Sequence, residues 1–139
     1  MTIRLVYYSR ALRDMSLQDI QDILTIAREN NADQDICGML CYESNWFLQA
    51  LEGDREVVNE LFLEIADDVR HDDVVIISYQ YIDECIFPNW HMGYSANSGA
   101  VSDMLTSFGL SSFTPEKLQP DQALEFLQTM SAQQHQDAA

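Results

Sequence analysis

Apolar positions divide the first 95 residues into five strand-like segments and two helical ones. The strand-like segments are rich in β-branched and aromatic residues and cover residues 3–9, 36–42, 46–52, 74–82 and 87–94. The helical segments repeat apolar residues at i, i+3, i+4 and i+7, and they fall within residues 20–27 and 57–69. The order βαββαβ plus one strand predicts an α+β, ferredoxin-like fold with both helices on one sheet face. The fourth strand is largely apolar and is therefore expected at the centre of the sheet.

Polar residues predict where the two helices begin and end. Ser16, followed by Asp19 three residues later, has the form of a capping box that opens the first helix. Asn30–Asn31 is expected to close that helix, because asparagine tolerates the left-handed conformation of a C-cap. Arg70 and His71 are expected in the last turn of the second helix, where the helix dipole favours positive charge.

After Ser95 the composition shifts to serine, glycine, alanine and asparagine, and two short helices are predicted at 101–108 and 121–130. We therefore divide the chain into a domain at residues 1–95 and a C-terminal helical extension at 96–139, which is too short to be an independent domain. The extension is expected to cover the free sheet face or to mediate association. Its apolar stripes, if exposed, favour a homo-oligomer.

Charge and composition limit the partners. Seven basic and 23 acidic residues give a formal charge of −16, which disfavours direct binding to nucleic acid or to an anionic membrane. A basic partner protein stays open. The three cysteines, Cys37, Cys41 and Cys85, lie in strand-like patterns and are expected to be reduced thiols of the core. The N-terminus shows no signal-peptide pattern and no stretch has membrane-spanning length, so we expect a cytoplasmic protein.

A glutamine interrupts the most apolar strand. Alternation places Gln49 on the same face as Phe47 and Leu51, and Tyr7 on the first strand shares that face by the same parity. In a ferredoxin-like sheet these two strands are neighbours, so a phenol and a carboxamide are expected within hydrogen-bonding reach. A buried amide needs partners, and two interpretations are open: a structural contact to a side chain or the backbone, or recognition of a heteroaromatic ligand.

Two more polar groups have both a structural and a ligand-binding interpretation. Asn30 and Asn31 are either C-cap residues or amides turned toward the sheet face that carries Tyr7 and Gln49. Arg70 and His71, preceded by Asp68, either complement the helix dipole or form a cationic clamp for the phosphate of a cofactor tail. No glycine-rich nucleotide signature and no zinc-protease or hydrolase motif is found in the sequence.

In combination, these segments resemble the BLUF family of flavin-binding blue-light sensors. The resemblance covers residues 2–95 and extends more loosely to about residue 132, as in short, stand-alone members with a C-terminal helical pair. The matching segments are Arg4–Tyr7, Asn30–Asn31, Ile36–Tyr42, Phe47–Gly53, Arg70–His71 and Trp90–Met92.

The resemblance implies FAD bound between the two helices, with its ring reaching the sheet. It implies that Tyr7 is the photochemical donor of an electron and a proton, and that Gln49 bridges Tyr7 to the ring. It also implies that Asn31 hydrogen-bonds the ring, with Asn30 as a second candidate.

For the rest of the cofactor, the resemblance implies that Asp68, Arg70 and His71 lie near the ribityl and phosphate tail. Trp90 and Met92 match the pair on the fifth strand that is linked to signalling in the family.

The implied mechanism is a photocycle. Light excites the flavin, Tyr7 gives up an electron and a proton that later return, and the Gln49 amide rotates or tautomerises. The altered hydrogen bonds are expected to reach a protein partner through the fifth strand and the following helices. Because little chain follows residue 95, we expect no catalytic output domain and no enzyme activity.

Two other classes of protein explain the sequence less well. An acylphosphatase-type hydrolase would need a glycine-containing phosphate loop near the first strand, which residues 9–12 lack. A ferredoxin-like small-molecule-binding or oligomerisation module without photochemistry explains the fold but gives no reason for Tyr7 and Gln49 to face each other.

Overall fold

The computed structural model describes residues 1–87, 93–95 and 99–138. Along the chain the elements are β1 (Thr2–Ala11), α1 (Leu17–Gln34), β2 (Cys37–Glu43), β3 (Trp46–Asp54), α2 (Arg55–Ala66), β4 (His71–Tyr81), β5 (Gly93–Ser95), α3 (Gly99–Ser107), a 3₁₀ turn (Pro115–Lys117) and α4 (Pro120–Ala138). The predicted ferredoxin-like α+β fold, with added C-terminal helices, is confirmed.

The strands form one sheet in the order β4-β1-β3-β2-β5. Three of the four pairings are antiparallel, and β5 runs parallel to β2. The prediction of a central fourth strand is wrong: β4 lies at an edge, beside β1. Val75 and Ile76 of β4 point to opposite faces of the sheet and are 42% and 47% exposed. The apolar sequence of β4 therefore belongs to a strand that is partly buried on both faces and not to a central strand.

The first helix begins as predicted. The Asp19 N–H donates to Ser16 Oγ at 3.1 Å, and the Ser16 N–H donates to the Asp19 carboxylate at 2.9 Å. Its predicted end at Asn30–Asn31 is wrong, because α1 continues to Gln34 and the left-handed cap is Asp35, with φ 60°. Asparagine and aspartate both tolerate that conformation, so the sequence did not distinguish them.

The end of the second helix also differs from the prediction. α2 stops at Ala66, so Arg70 and His71 do not lie in its last turn, and His71 is the first residue of β4. Val69, counted in the apolar stripe of this helix, is 85% exposed in the connection to β4. The stripe that packs on the sheet ends one turn earlier than the sequence pattern indicated.

The sheet separates two cores. One core lies between the sheet and the pair α1 and α2, and it includes Ile3, Leu5, Ile20, Leu24 and Val58. The other lies between the opposite sheet face and the C-terminal helices. The extension therefore covers the free sheet face, which was one of the two roles predicted for it.

The expectation of an exposed apolar stripe is wrong for α4. Phe126, Leu127 and Met130 of α4 are fully buried against the sheet. Their apolar surface is already used inside the chain, so these residues give no basis for a homo-oligomer. Among the helices that the structure describes, none combines the length and the apolar character needed to span a bilayer.

The fifth strand is shorter in the described residues than predicted, since β5 comprises Gly93–Ser95. Phe87, expected to begin it, is a buried loop residue that packs with the C-terminal core. The signalling candidates Trp90 and Met92 lie outside the described residues.

The cysteines are free thiols, as predicted, but only Cys41 is buried in the core. Cys37 and Cys85 are partly exposed, and Cys85 lies in the loop after β4 and not in a strand.

Candidate functional site

A cleft of about 220 Å³ opens between α1, α2 and the face of the sheet. β1 and β3 form its floor, the two helices form its sides, and the connection from α2 to β4 borders its mouth. All seven residues that the sequence singled out for a cofactor line this one cleft: Tyr7, Asn30, Asn31, Gln49, Asp68, Arg70 and His71.

Tyr7 and Gln49 meet at the floor of the cleft. They are directly paired residues of neighbouring antiparallel strands, and the Tyr7 hydroxyl donates a hydrogen bond to Gln49 Oε1. Both side chains are buried, at 3% and 6% exposure. The contact expected from strand parity is confirmed, and it gives the buried carboxamide a partner in the middle of an apolar strand.

The Tyr7 ring is held in a dry environment. Burial raises the pKa of Tyr7 well above its ordinary value, and the negative charge of Asp68 raises it further. The phenol therefore keeps its proton at neutral pH. The ring of Phe62 on α2 meets the Tyr7 ring edge-on, with centroids 5.5 Å apart, which fixes the ring orientation.

The two asparagines differ in position. Asn31 is almost fully buried, at 1% exposure, whereas Asn30 is exposed. The backbone of Asn31 also organises the end of the helix, because its carbonyl oxygen accepts the N–H of Asp35 and, at 2.9 Å, the N–H of Ile36. The structure thus places one amide deep in the cleft wall and the other at its rim.

An ion pair borders the mouth of the cleft. Arg70 Nε and the Arg70 backbone N–H each donate to the Asp68 carboxylate at 2.9 Å. The Arg70 hydrogen bond holds the pKa of Asp68 down at about 2. A fixed carboxylate and a partly exposed guanidinium are therefore available to a polar ligand group that extends to solvent.

His71 connects three elements. Its Nδ1 lies 2.7 Å from Ser9 Oγ on β1, and its Nε2 lies 2.5 Å from the carbonyl oxygen of Ile65 on α2. A carbonyl oxygen only accepts, so Nε2 carries a proton. Both ring nitrogens are thus engaged within the chain, and His71 joins the end of α2 to the sheet beside the cleft.

The apolar walls were not identified as part of a site from the sequence. Ile23 and Ala27 of α1 and Leu61 and Ile65 of α2 line the cleft and are only half-buried. Ile20, on the same stripe of α1, is fully packed. The small Ala27 on an apolar stripe is the signal in the sequence that could have indicated a gap. Half-buried apolar walls above polar floor atoms suit a flat heteroaromatic ring.

A buried ion pair on the opposite sheet face was also missed. Arg4 Nε donates to Glu52 at 2.9 Å, and the Glu52 carboxylate also accepts the backbone N–H groups of Ile86 and Phe87 at 2.9 and 2.8 Å. Opposite charges at matching positions of two apolar strands were the signal available in the sequence. This cluster fixes the loop that follows β4 to the centre of the sheet.

Comparison with known proteins extends these observations. The family model described as BLUF, sensors of blue-light using FAD, matches residues 2–93. The chain is 35% identical over 105 residues to photoactivated adenylate cyclase subunit beta of Euglena gracilis. That match covers 75% of this chain and 12% of the cyclase subunit, so the similarity is confined to a small part of the larger protein.

Solved structures of similar size match nearly the whole chain. The structure of BlsA in its photo-activated state superposes with a TM-score of 0.89 at 36% identity, covering 94% of this chain and 95% of BlsA. The dark-state structure of BlrB, a BLUF protein, has a TM-score of 0.79 at 25% identity, covering 95% of this chain and 96% of BlrB. These similarities include the C-terminal helices.

Proposed function

The chain belongs to the BLUF family of flavin-binding blue-light sensors, and on that premise we propose that it binds FAD in the cleft between α1 and α2 and reports illumination to another polypeptide. The observation that carries the proposal is the hydrogen bond from Tyr7 to Gln49 at the floor of that cleft. A phenol and a carboxamide form no nucleophile–base pair, which favours a sensor over an enzyme.

The residues around the cleft suit FAD in different ways. Ile23, Ala27 and Ile65 offer apolar surface to the flat ring, and Asn31 offers an amide at its polar edge. Arg70 at the mouth offers a guanidinium to the phosphates. Because guanidinium groups bind phosphate oxygens well, Arg70 favours FAD over a flavin without phosphate. When bound, the flavin supplies blue-light absorption and a photoexcited electron acceptor.

Tyr7 is proposed as the electron and proton donor. Its pKa is raised by burial, so the phenol is protonated and has a proton to give at neutral pH. Loss of an electron makes a phenol strongly acidic, and the Tyr7 proton already points at Gln49 Oε1. Electron and proton can therefore leave together and return together, which restores Tyr7.

Gln49 is proposed as the switch. With Tyr7 donating to Oε1, the Nε2 amide group is the donating end of the Gln49 side chain. Rotation of the amide exchanges the two ends, so that Nε2 donates to the Tyr7 oxygen and Oε1 takes the place of Nε2. The change needs no movement of the backbone and alters what the cleft presents to a ring edge.

The output is proposed to leave through the C-terminal extension. We take residues 1–95 as the flavin domain, and the described, buried residues of α4 pack on the opposite face of the same sheet. This arrangement is favoured by the burial of Phe126, Leu127 and Met130 against that face. The Euglena gracilis relative is a photoactivated adenylate cyclase subunit, so a catalytic protein is one class of recipient for the signal.

The visible absorption spectrum tests the proposal directly. The purified protein should be yellow, and blue light should shift its flavin bands slightly to the red, with recovery in darkness. Chromatography of the released cofactor should identify FAD. Flavin bands that never shift would contradict the Tyr7–Gln49 switch, and a colourless protein that takes up no added FAD would contradict the whole proposal.

A further inference from the structure

Two cysteines meet on the sheet face that the flavin cleft does not use. Cys37 is the first residue of β2, and Cys85 lies in the loop that follows β4. Their side chains lie close enough for each thiol to affect the pKa of the other. Both are partly exposed, whereas Cys41, on the same face of β2, is buried in the core.

Glu52 holds the two cysteines in place. Cys37 and Glu52 are directly paired residues of β2 and β3. The Glu52 carboxylate accepts the backbone N–H of Ile86, the residue after Cys85, at 2.9 Å, and that of Phe87 at 2.8 Å. The loop with Cys85 is thereby fixed beside Cys37. The two thiols are neighbours because of a buried network, so their contact is built into the fold.

We propose that Cys37 and Cys85 form a reversible disulfide when the protein encounters a hydroperoxide. The site lies apart from the light-sensing cleft and gives the chain a second, chemical input. The bond would join the start of β2 to the segment that leads from β4 to β5. A partly exposed cysteine next to a resolving cysteine is one feature of redox-sensing sites, although the raised pKa values here make the reaction slow.

The reaction is balanced by the hydroperoxide alone. The Cys85 thiolate attacks the terminal peroxide oxygen, the O–O bond breaks, and Cys85 becomes a sulfenic acid as an alcohol or water leaves. The Cys37 sulfur then attacks the Cys85 sulfur, the S–S bond forms, the S–O bond breaks and water leaves. Two thiols lose two electrons and the peroxide gains them.

The surroundings of the two thiols differ, and the difference favours Cys85 as the sulfur that reacts first. Burial, followed by the charges of Cys85, Glu52 and Asp35, raises the pKa of Cys37 to about 11. Burial and Glu52 also raise the pKa of Cys85, but the Arg4 charge and the neighbouring Cys37 oppose that increase.

These shifts predict a slow, pH-dependent reaction. Only the thiolate attacks, so the initial rate of crosslinking should rise about tenfold for each pH unit between about pH 7 and pH 8.5. The charged groups that face the pair are Glu52, Asp35 and Arg4.

The test is peptide mapping of the flavin-loaded protein. The dark protein is treated with excess hydrogen peroxide, alkylated and digested, and the peptides are identified by mass spectrometry. We expect a Cys37–Cys85 crosslink that dithiothreitol removes. The crosslink should be absent from Cys37→Ser and from Cys85→Ser, and retained in the matched control Cys41→Ser. The oxidised wild-type protein should also unfold at a higher temperature than the reduced one.

The mapping on the wild-type chain decides the question even where a variant fails to fold. Two thiols still alkylated after treatment at pH 8.5, or separate sulfinic acids at Cys37 and Cys85, would overturn the proposal. Because the readout is a mass and not an absorbance change, a negative result here leaves the light-sensing proposal untouched, and the reverse also holds.

Discussion

Gln49 and Glu52 lie on the same strand, β3, and their side chains enter opposite faces of the sheet. Gln49 accepts the Tyr7 hydroxyl in the cleft, whereas Glu52 accepts the N–H groups of the loop that leads toward β5. β3 therefore contacts both the cleft and the loop that leads toward β5. The two contacts lie three positions apart on one strand, which gives a physical connection through which we expect a hydrogen-bond change at Gln49 to affect that loop.

Replacement of Gln49 by leucine should separate flavin binding from switching. Gln49→Leu keeps the shape of the side chain but removes the amide, so the protein should stay yellow and lose its light-induced red shift. The Tyr7 hydroxyl loses its acceptor, which should lower the free energy of unfolding by about 1–3 kcal/mol. Light-minus-dark spectra and urea unfolding measure the two effects.

The matched control for this variant is Gln80→Leu, the same change at an exposed position on β4. It should leave both the spectral shift and the stability unchanged. A full shift in Gln49→Leu would show that the carboxamide is not the switch.

Tyr7→Phe should bind flavin and fail to photoconvert. The phenyl ring keeps the edge-on contact with Phe62 but has neither a readily oxidised phenol nor a proton to donate. Tyr8→Phe is the control, because Tyr8 lies on the other sheet face, where its ring meets that of Trp46 at 5.9 Å. Time-resolved absorption measures photoconversion, and a normal yield in Tyr7→Phe would assign the donor to another residue.

The light response should persist in alkaline solution. The folded pKa of Tyr7 is raised, so the folded protein favours the protonated phenol. The resulting contribution to stability is complete below the unfolded pKa near 10 and is lost progressively as the pH rises from there through the higher folded value. The amplitude of the red shift should therefore be the same at about pH 7 and about pH 10. A decline that follows an ordinary tyrosine titration would place Tyr7 in contact with water.

Strand parity was sufficient to predict the Tyr7–Gln49 contact, because the ferredoxin-like order makes β1 and β3 neighbours and alternation then fixes the face. The Ser16 cap was predictable because it depends on residues three positions apart. These features are set by local sequence and by one rule of topology. They required no knowledge of how distant side chains pack.

The errors have a common physical origin in tertiary packing. Asn31 is a buried helical residue and not a cap, because the sheet lies against that turn and Asp35 takes the left-handed conformation instead. β4 is an edge strand although its sequence is apolar. How far its side chains are buried depends on where the helices cross the sheet, which the local pattern does not show. The Arg4–Glu52 pair joins residues 48 positions apart, which no local pattern reveals.

Arg70→Gln should weaken retention of FAD more than retention of riboflavin. The guanidinium at the cleft mouth is proposed to contact the phosphates, which riboflavin lacks. The variant also removes the main cause of the low Asp68 pKa, so that pKa should rise from about 2 toward the ordinary aspartate value. Titration calorimetry with the two flavins measures the difference, and Arg28→Gln on the outer side of α1 is the control. If Arg70→Gln lowered the affinity for FAD and for riboflavin equally, Arg70 would not be the residue that contacts the phosphates.

Glu52→Ala should destabilise the fold strongly and loosen the loop after β4. Removing one member of a buried ion pair leaves the other without compensation, which typically costs about 3–5 kcal/mol. Here Arg4 loses its carboxylate, and the N–H groups of Ile86 and Phe87 lose their acceptor. Glu60→Ala, an exposed position on α2, should change stability by less than about 0.5 kcal/mol. Urea unfolding measures the stability. Hydrogen exchange at residues 86 and 87 measures the loop, and protection there that equals the wild-type value would mean that contacts other than Glu52 hold it.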